Sequence, residues 1–291
     1  MQLSTRAPAK INLSLAVVGR EADGFHRLVS CVVPLTLADA LSFEPGGKIL
    51  ALECDDPSIP ADSSNLVLRA AEVFRTAYPS APPGRFRLSK SVPHGAGLGG
   101  GSSDAAAALR LLNEVSGFPF DATRLRSLAA QVGSDCAFFV ESVSSVMRGR
   151  GEQLEPMPAK LTDTWRGRRV LLVKPARPVS TAAAYGWLAE SGHYVAEAKA
   201  EAALAGALAH GSPESLVALG NSLQEAVFAR SPELPAGLDA LRSGLGIHAV
   251  MTGSGSACFA LVHQSPDLDR VRALLEPIWG PGVWVALTEL A

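Results

Sequence analysis

The stretch Pro93-His94-Gly95-Ala96-Gly97-Leu98-Gly99-Gly100-Gly101-Ser102-Ser103-Asp104 decides how the rest of the chain is read. It holds five of the 27 glycines, all between Gly95 and Gly101. A strand-like run, Arg85 to Val92, precedes it, and a helix-like run, Ala105 to Val115, comes after it, with Gly117 as its stop. Glycines let the backbone adopt positive φ and bring its N–H groups close to a ligand. A helix N-terminus adds unpaired N–H groups and a partial positive charge, so the pair makes an anion site suited to phosphate. Ser102 and Ser103 add hydroxyls at the same place. A plain surface turn needs far fewer glycines. No G-K-[ST] is present, so this is not an ordinary P-loop. Gly95, Gly97 and Gly100 formally satisfy G-x-G-x-x-G, but the preceding run carries Lys90 and ends at Pro93, unlike a central parallel strand. A dinucleotide fold also needs an acidic residue about 20 residues downstream at the end of a strand. The turn Gly117-Phe118-Pro119 lies in that region, after a helix. A Rossmann-type oxidoreductase therefore stands only as the alternative from another class.

Composition bounds the rest. The chain has 291 residues, 47% apolar and 19% charged, enough for a sizeable core in one large domain or two. The net charge of −2 excludes generic nucleic-acid binding, so phosphate chemistry must be local. No stretch approaches the ~20 apolar residues of a membrane span, and no signal peptide is evident. The expectation is a cytoplasmic protein with no nucleic-acid or membrane partner. Cys31, Cys54, Cys136 and Cys258 are scattered without metal or redox spacing and read as reduced thiols. The histidines beyond His26 show no metal-ligand spacing either.

Outward from the loop, strands are expected at Ile11 to Val18, Leu28 to Leu35, Ala40 to Phe43 and Ile49 to Leu52. A helix starts near Ser64, which reads as its cap, and another runs from Ala122 to Val132 behind Asp121. Gly133-Ser134-Asp135 interrupts that helix, and Val143 to Met147 reads as a strand. The polar segment Pro156 to Arg168 marks a boundary between domains at 1–160 and 161–291. Beyond it come a strand at Val170 to Val173, helices at Thr181 to Ser191, Val195 to Ala209, Pro213 to Ala229 and Leu238 to Leu245, and then strands at His248 to Met251 and Cys258 to Val262. A helix at Leu268 to Leu275 and a strand at Val283 to Leu287 close an α+β pattern.

Three segments resemble the galactokinase, homoserine kinase, mevalonate kinase and phosphomevalonate kinase superfamily. They are Ala7 to Leu13 (APAKINL), Pro93 to Ala106, and Met251 to Ala257 (MTGSGSA). Finer details are similar to the member family that phosphorylates a cytidine-diphosphate-linked methylerythritol. These are Ala22-Asp23-Gly24-Phe25-His26, the triple glycine, and Gly133-Ser134-Asp135. A kinase for a homoserine- or mevalonate-type alcohol is the alternative within the superfamily. The resemblance implies an N-terminal domain like domain 2 of ribosomal protein S5, a C-terminal ferredoxin-like sandwich, and an active site in the cleft between them. It implies ATP and Mg²⁺, a small-molecule substrate, and a monomer or weak homodimer.

It also implies roles, each with a plainer reading beside it. Asp135 is the expected acceptor of the hydroxyl proton; an Asp after Gly-Ser is also an ordinary turn residue. Lys10 is expected to steady the reacting groups; it also reads as a lysine snorkelling from an edge strand. Pro93 to Asp104, with Lys90 and Asn65, line the nucleotide site, although Asn65 also suits a helix cap and Lys90 a solvated strand. Ser103, with Asp104, is the candidate Mg²⁺ ligand, and both also suit a first helical turn. Asn12, Phe25, His26, Thr181, Tyr185, Gly253, Ser254 and Gly255 are the expected substrate contacts, with Phe25 and Tyr185 on the two faces of the base and His26 on its edge. Tyr185 equally fits an amphipathic helix and Asn12 a strand. The chain departs from the family pattern in having Phe25 where many relatives have Tyr, and Cys136-Ala137 for Val-Pro. Ser222 and Gln224 replace two acids in Gly220-Asn221-Ser222-Leu223-Gln224.

Overall fold

The computed structural model describes residues 2–291. The fold is α+β, and the chain divides into two compact, interleaved units. One takes the residues up to Ala9, Leu37–His94 and Gly99–Val143; the other takes Lys10–Thr36, Gly95–Leu98 and Ser144–Ala291. The segment from Pro156 to Arg168 carries the end of a short strand and a short helix and belongs to the second unit.

The chain opens with two long strands, β1 (Leu3–Arg20) and β2 (His26–Pro45), and then β3 (Leu50–Cys54). The reading of β2 as two separate strands is corrected: it is one 20-residue strand. Asp39 sits in it and looks like a break, but its carboxylate accepts backbone N–H groups from Ser91 and Val92 at 2.6 and 2.8 Å. In the first unit, residues 40–45 of β2 pair antiparallel with β4 (Gly84–Ser89), and β3 lies parallel to β4 on its other side. Helices α1 (Leu66–Ala77), α2 (Gly100–Val115) and α3 (Ala122–Val132) complete it. Asn65, not Ser64, caps α1, its side chain accepting from Val67 N–H. Helix α2 starts at Gly100, five residues before the expected Ala105, so Ser102, Ser103 and Asp104 lie within its opening turns. Its alanines Ala105 to Ala108 are fully buried, which suits a helix packed on several sides. Helix α3 runs as expected, with the Asp121 side chain accepting from Arg124 N–H at 2.7 Å.

The second unit contains the antiparallel pair β5 (Ser145–Arg148) and β6 (Gln153–Pro156), with residues 30–32 of β2 paired to β5. After α4 (Ala159–Thr162) comes a four-stranded antiparallel sheet. Its strands are β7 (Arg169–Lys174), β8 (Val250–Met251), β9 (Cys258–Val262) and β10 (Trp284–Glu289), in the order β10-β7-β9-β8. Helices α5 (Thr181–Ser191), α6 (Glu197–His210), α7 (Pro213–Val217), α8 (Leu223–Arg230) and α9 (Glu233–Leu245) fill the crossover from β7 to β8. Helix α10 (Leu268–Trp279) fills the one from β9 to β10. This βαββαβ order is the expected ferredoxin-like arrangement, with β7 and β9 in the centre. Leu171, Val173, Leu188, Val227, Leu241, Val271 and Leu275 share its core. The expected single helix Pro213 to Ala229 is broken into α7 and α8, because Gly220 adopts φ +76° and its carbonyl accepts from Leu15 N–H.

All four cysteines are free thiols, three of them buried. Among the described residues no helix is long and apolar enough to cross a membrane.

Candidate active site

The glycine segment is shared between the units, Gly95–Leu98 belonging to the second and Gly99 onward to the first. In the second unit it lies against the turn after β8. Gly97 has φ +76°, and a side chain there would bring Cβ within 2.6 Å of the Thr252 carbonyl oxygen. At Gly253, φ is +56° and a Cβ would stand 2.9 Å from the Gly97 carbonyl and 3.2 Å from the Lys10 ammonium. Only glycine allows both loops to come this close. Hydrogen bonds fix the approach: Lys10 N–H donates to Leu98 O at 2.9 Å, and Ala257 N–H to Ala96 O at 3.1 Å.

Lys10 is 4% exposed on β1. Burial of an ammonium is costly without partners. Its Nζ donates to Asn12 Oδ1 at 2.6 Å, Asn12 Nδ2 donates to Ser30 Oγ at 2.8 Å, and Ser30 Oγ donates to the Ser14 carbonyl at 2.6 Å. Asn12 N–H donates to Thr252 Oγ1 at 2.9 Å, and Thr181 and Ser254 hydroxyls bond at 2.9 Å. The structure thus brings Lys10, Asn12, Gly97, Gly253, Ser254 and Thr181 into one constellation within the second unit. Asn221 secures its floor by donating to the Met251 and Gly253 carbonyls. Ser222 and Gln224, where the superfamily pattern has acids, accept from Val17 N–H and Met251 N–H. These two bonds join the start of α8 to the strands.

In the first unit, the nucleotide-side residues surround the start of α2. Gly99 caps the helix in the left-handed conformation at φ +73°, leaving the helix's first N–H groups at the loop. Below them is a buried charge cluster of which the sequence shows only half. Lys90 Nζ lies 2.5 Å from Asp39 Oδ2 and 2.9 Å from Asp104 Oδ2. Asp39 has no motif to announce it, since its partners stand more than 50 positions away. Burial pushes the Asp104 carboxyl up to about 7 against the pull of Lys90, with the Asp39 charge adding to the push. Burial pulls Lys90 down, but the two carboxylates outweigh it and hold the ammonium above its ordinary value. Ser103 Oγ and Asp104 Oδ1 are buried with no hydrogen-bond partner. Unpaired buried oxygens of this kind are costly and call for an explanation such as a ligand.

Asp135 stands half-buried in the first turn of a 3₁₀ helix, Ser134–Val140, directly after α3. Cys136 and Ala137 pack inward, and burial pushes the Cys136 thiol up to about 11. Asn65 spends its amide on its own chain, capping α1 and donating to the Pro60 carbonyl.

His26 lies beside Tyr185, with ring centroids 5.0 Å apart. Tyr194, which no motif signals, adds its hydroxyl 3.3 Å from His26 Nε2. Burial, helped by the charge of Arg20, holds the His26 pKa below its ordinary value, which favours the neutral ring. Phe25 is half exposed, and the guanidinium of Arg150 lies over it at 4.7 Å.

Residues 65–142 match the GHMP kinases N terminal domain and residues 198–277 match the GHMP kinases C terminal domain. A 4-diphosphocytidyl-2-C-methyl-D-erythritol kinase from Deinococcus radiodurans is 38% identical over 286 residues, 98% of this chain and 92% of its own. The chain belongs to this kinase family. A second relative of that name, from Synechococcus sp. (strain CC9902), is 39% identical over 94% of this chain and 92% of its own. A crystal structure of 4-(cytidine 5'-diphospho)-2C-methyl-D-erythritol kinase has a TM-score of 0.76 at 32% identity, covering 99% of this chain and all (100%) of that one. Family membership sets aside the oxidoreductase alternative: the glycine segment is that of a GHMP kinase.

Proposed function

We propose that this protein transfers the γ-phosphoryl group of ATP to the 2-hydroxyl of 4-(cytidine 5'-diphospho)-2-C-methyl-D-erythritol. One observation carries the proposal: similarity to kinases of that name runs along 98% of the chain, at 38% identity. The residues fit the chemistry. Phosphoryl transfer needs positioning and charge neutralisation more than covalent help. Backbone N–H groups of Gly99 to Ser102, at the start of α2, receive the nucleotide phosphates. Asp135 accepts the proton of the attacking hydroxyl. Lys10, held by Asn12 at 2.6 Å, places an ammonium where charge develops on the transferring group. Tyr185 supplies a stacking surface for the base, as aromatic rings do in nucleotide sites generally. With Nε2 at the Tyr194 hydroxyl, the His26 imidazole has Nδ1 to offer the base edge. Thr181 and the Gly253 to Gly255 turn contact the substrate beside Asn12.

Mg²⁺ fits the first unit's site. Ser103 Oγ and Asp104 Oδ1 are buried oxygens without partners, and the Asp39–Lys90–Asp104 cluster is acid-rich. Mg²⁺ needs only one or two protein oxygens beside water and phosphate. Among the described residues no group of three His, Cys, Asp or Glu could hold a metal alone, which suits an ion delivered with the nucleotide. When bound it neutralises charge on the phosphates.

The test is a panel of alcohols assayed for ADP release, with the cytidylyl-diphosphate substrate, homoserine and mevalonate in it. ADP release with the cytidylyl substrate, and a new phosphomonoester at its 2-position, is the expected result. Turnover of homoserine or mevalonate instead overturns the assignment.

A further inference from the structure

Phe25 is 53% exposed, yet it is not loose. The short segment between β1 and β2 closes on itself. Glu21 N–H donates to Phe25 O at 2.7 Å, Gly24 N–H to Glu21 O at 3.0 Å, and Phe25 N–H to Asp23 Oδ1 at 3.2 Å. Arg150, on the turn between β5 and β6, then straps the segment from outside. Its Nε and Nη2 donate to Glu21, its Nη2 donates to Asp23 at 2.6 Å, and its guanidinium carbon lies 4.7 Å from the Phe25 ring centroid. The strap is tied to the strand beside it, because Leu28 N–H donates to the Gly149 carbonyl at 2.8 Å.

Arg150 is a poor candidate for a phosphate ligand. Two carboxylates already over-neutralise its charge, and its planar face is spent on the ring. An ion pair as exposed as this one also contributes little to stability. What it can do is orient. A phenylalanine has no polar handle to fix its torsions, and a guanidinium stacked on one face supplies that hold.

We propose that Arg150 is a positioning residue. It holds Phe25 as one wall of the nucleobase site, so that the substrate's base stacks on the ring face opposite the guanidinium. This rests on the cytidylyl-diphosphate substrate proposed for the same site. The Phe25 wall is the one the family resemblance implies; what is added is the guanidinium on its other face, which assigns to Arg150 a specificity role that no motif marks. Ordering the ring before the substrate arrives removes an entropic cost of binding.

The test is steady-state kinetics with the cytidylyl-diphosphate substrate varied at saturating ATP. Wild type, Arg150→Ala, Arg150→Lys, Phe25→Ala and the double variant are compared, with melting temperatures as folding controls. Arg150→Ala is expected to raise the substrate KM roughly two- to ten-fold, with kcat and the KM for ATP retained. Arg150→Lys, which keeps the charge but not the planar face, falls between. Phe25→Ala raises KM roughly ten-fold, and Arg150→Ala adds nothing further in that background. A wild-type KM in Arg150→Ala, or an equal factor in both backgrounds, overturns the role of Arg150 alone. A wild-type KM in Phe25→Ala removes the wall and the proposal with it. Absence of turnover by the wild type would instead strike the cytidylyl reading itself.

Discussion

Lys90 and Arg150 each sit between two carboxylates, yet the two clusters differ in kind. The Lys90 side chain is 8% exposed and its partners Asp39 and Asp104 are 0% and 4% exposed. Arg150 is 37% exposed, with Glu21 and Asp23 at 36% and 50%. The same stoichiometry leaves one net negative charge in each, so burial makes the difference. In the first cluster desolvation forces a proton toward Asp104 and ties strand, loop and helix α2 into one unit. In the second, water screens the charges and geometry remains: a planar cation over an aromatic ring. A cluster of one cation and two acids is therefore architectural when dry and orienting when wet.

The largest expected effect is in the dry cluster. Asp39→Ala removes the partner of Lys90 and the acceptor of two backbone N–H groups together. A loss of about 3–5 kcal/mol in unfolding free energy is expected, measured by chemical denaturation. A cost comparable to a surface substitution breaks the comparison. Asp104→Asn should cost less, about 1 kcal/mol, because Asp39 still pairs Lys90 and an amide replaces a carboxyl already drawn toward its neutral form. Equal costs at the two positions would mean that Lys90 does not discriminate between them.

A third effect comes from His26, in surroundings between the two extremes. Burial first, and then Arg20, lowers its folded pKa below that of the unfolded chain, about 6.5. The stability this contributes is present above pH 6.5 or so and is lost as pH falls through the folded value. The substrate KM should accordingly stay flat from pH 8 to about 6.5 and rise several-fold only in more acid solution. His26→Gln should flatten that rise; an unchanged profile in the variant assigns the titration to another group. The smallest effect is in the wet cluster. Glu21→Ala should leave the melting temperature at the wild-type value within error, as calorimetry can check. A drop approaching that of Asp39→Ala would erase the distinction between the clusters.

Legibility tracks the range of the interactions. Helices α3 and α5 run as their sequences suggest, because Asp121 and Ser180 cap them through bonds only three residues long. The glycine segment can be read as a phosphate loop from local density alone. The start of α2 at Gly100 cannot, since glycine is a poor helix former and no capping side chain marks the start: Gly99 caps it with no side-chain hydrogen bond. Asp39, Arg150 and Tyr194 are illegible for one reason. Their partners lie 51, 129 and 168 positions away, and no spacing rule reaches so far. The motif around Phe25 points it at the base, but its clamp is invisible until the fold places Arg150 over the ring.

The catalytic role of Asp135 is tested most directly by the turnover of Asp135→Asn with ATP and the cytidylyl-diphosphate substrate, alongside its affinity for ATP. The amide keeps the size of the side chain and cannot accept the proton. A fall in kcat of roughly 10²–10⁴-fold with nucleotide affinity unchanged is the expected result. Turnover at the wild-type rate would contradict that role.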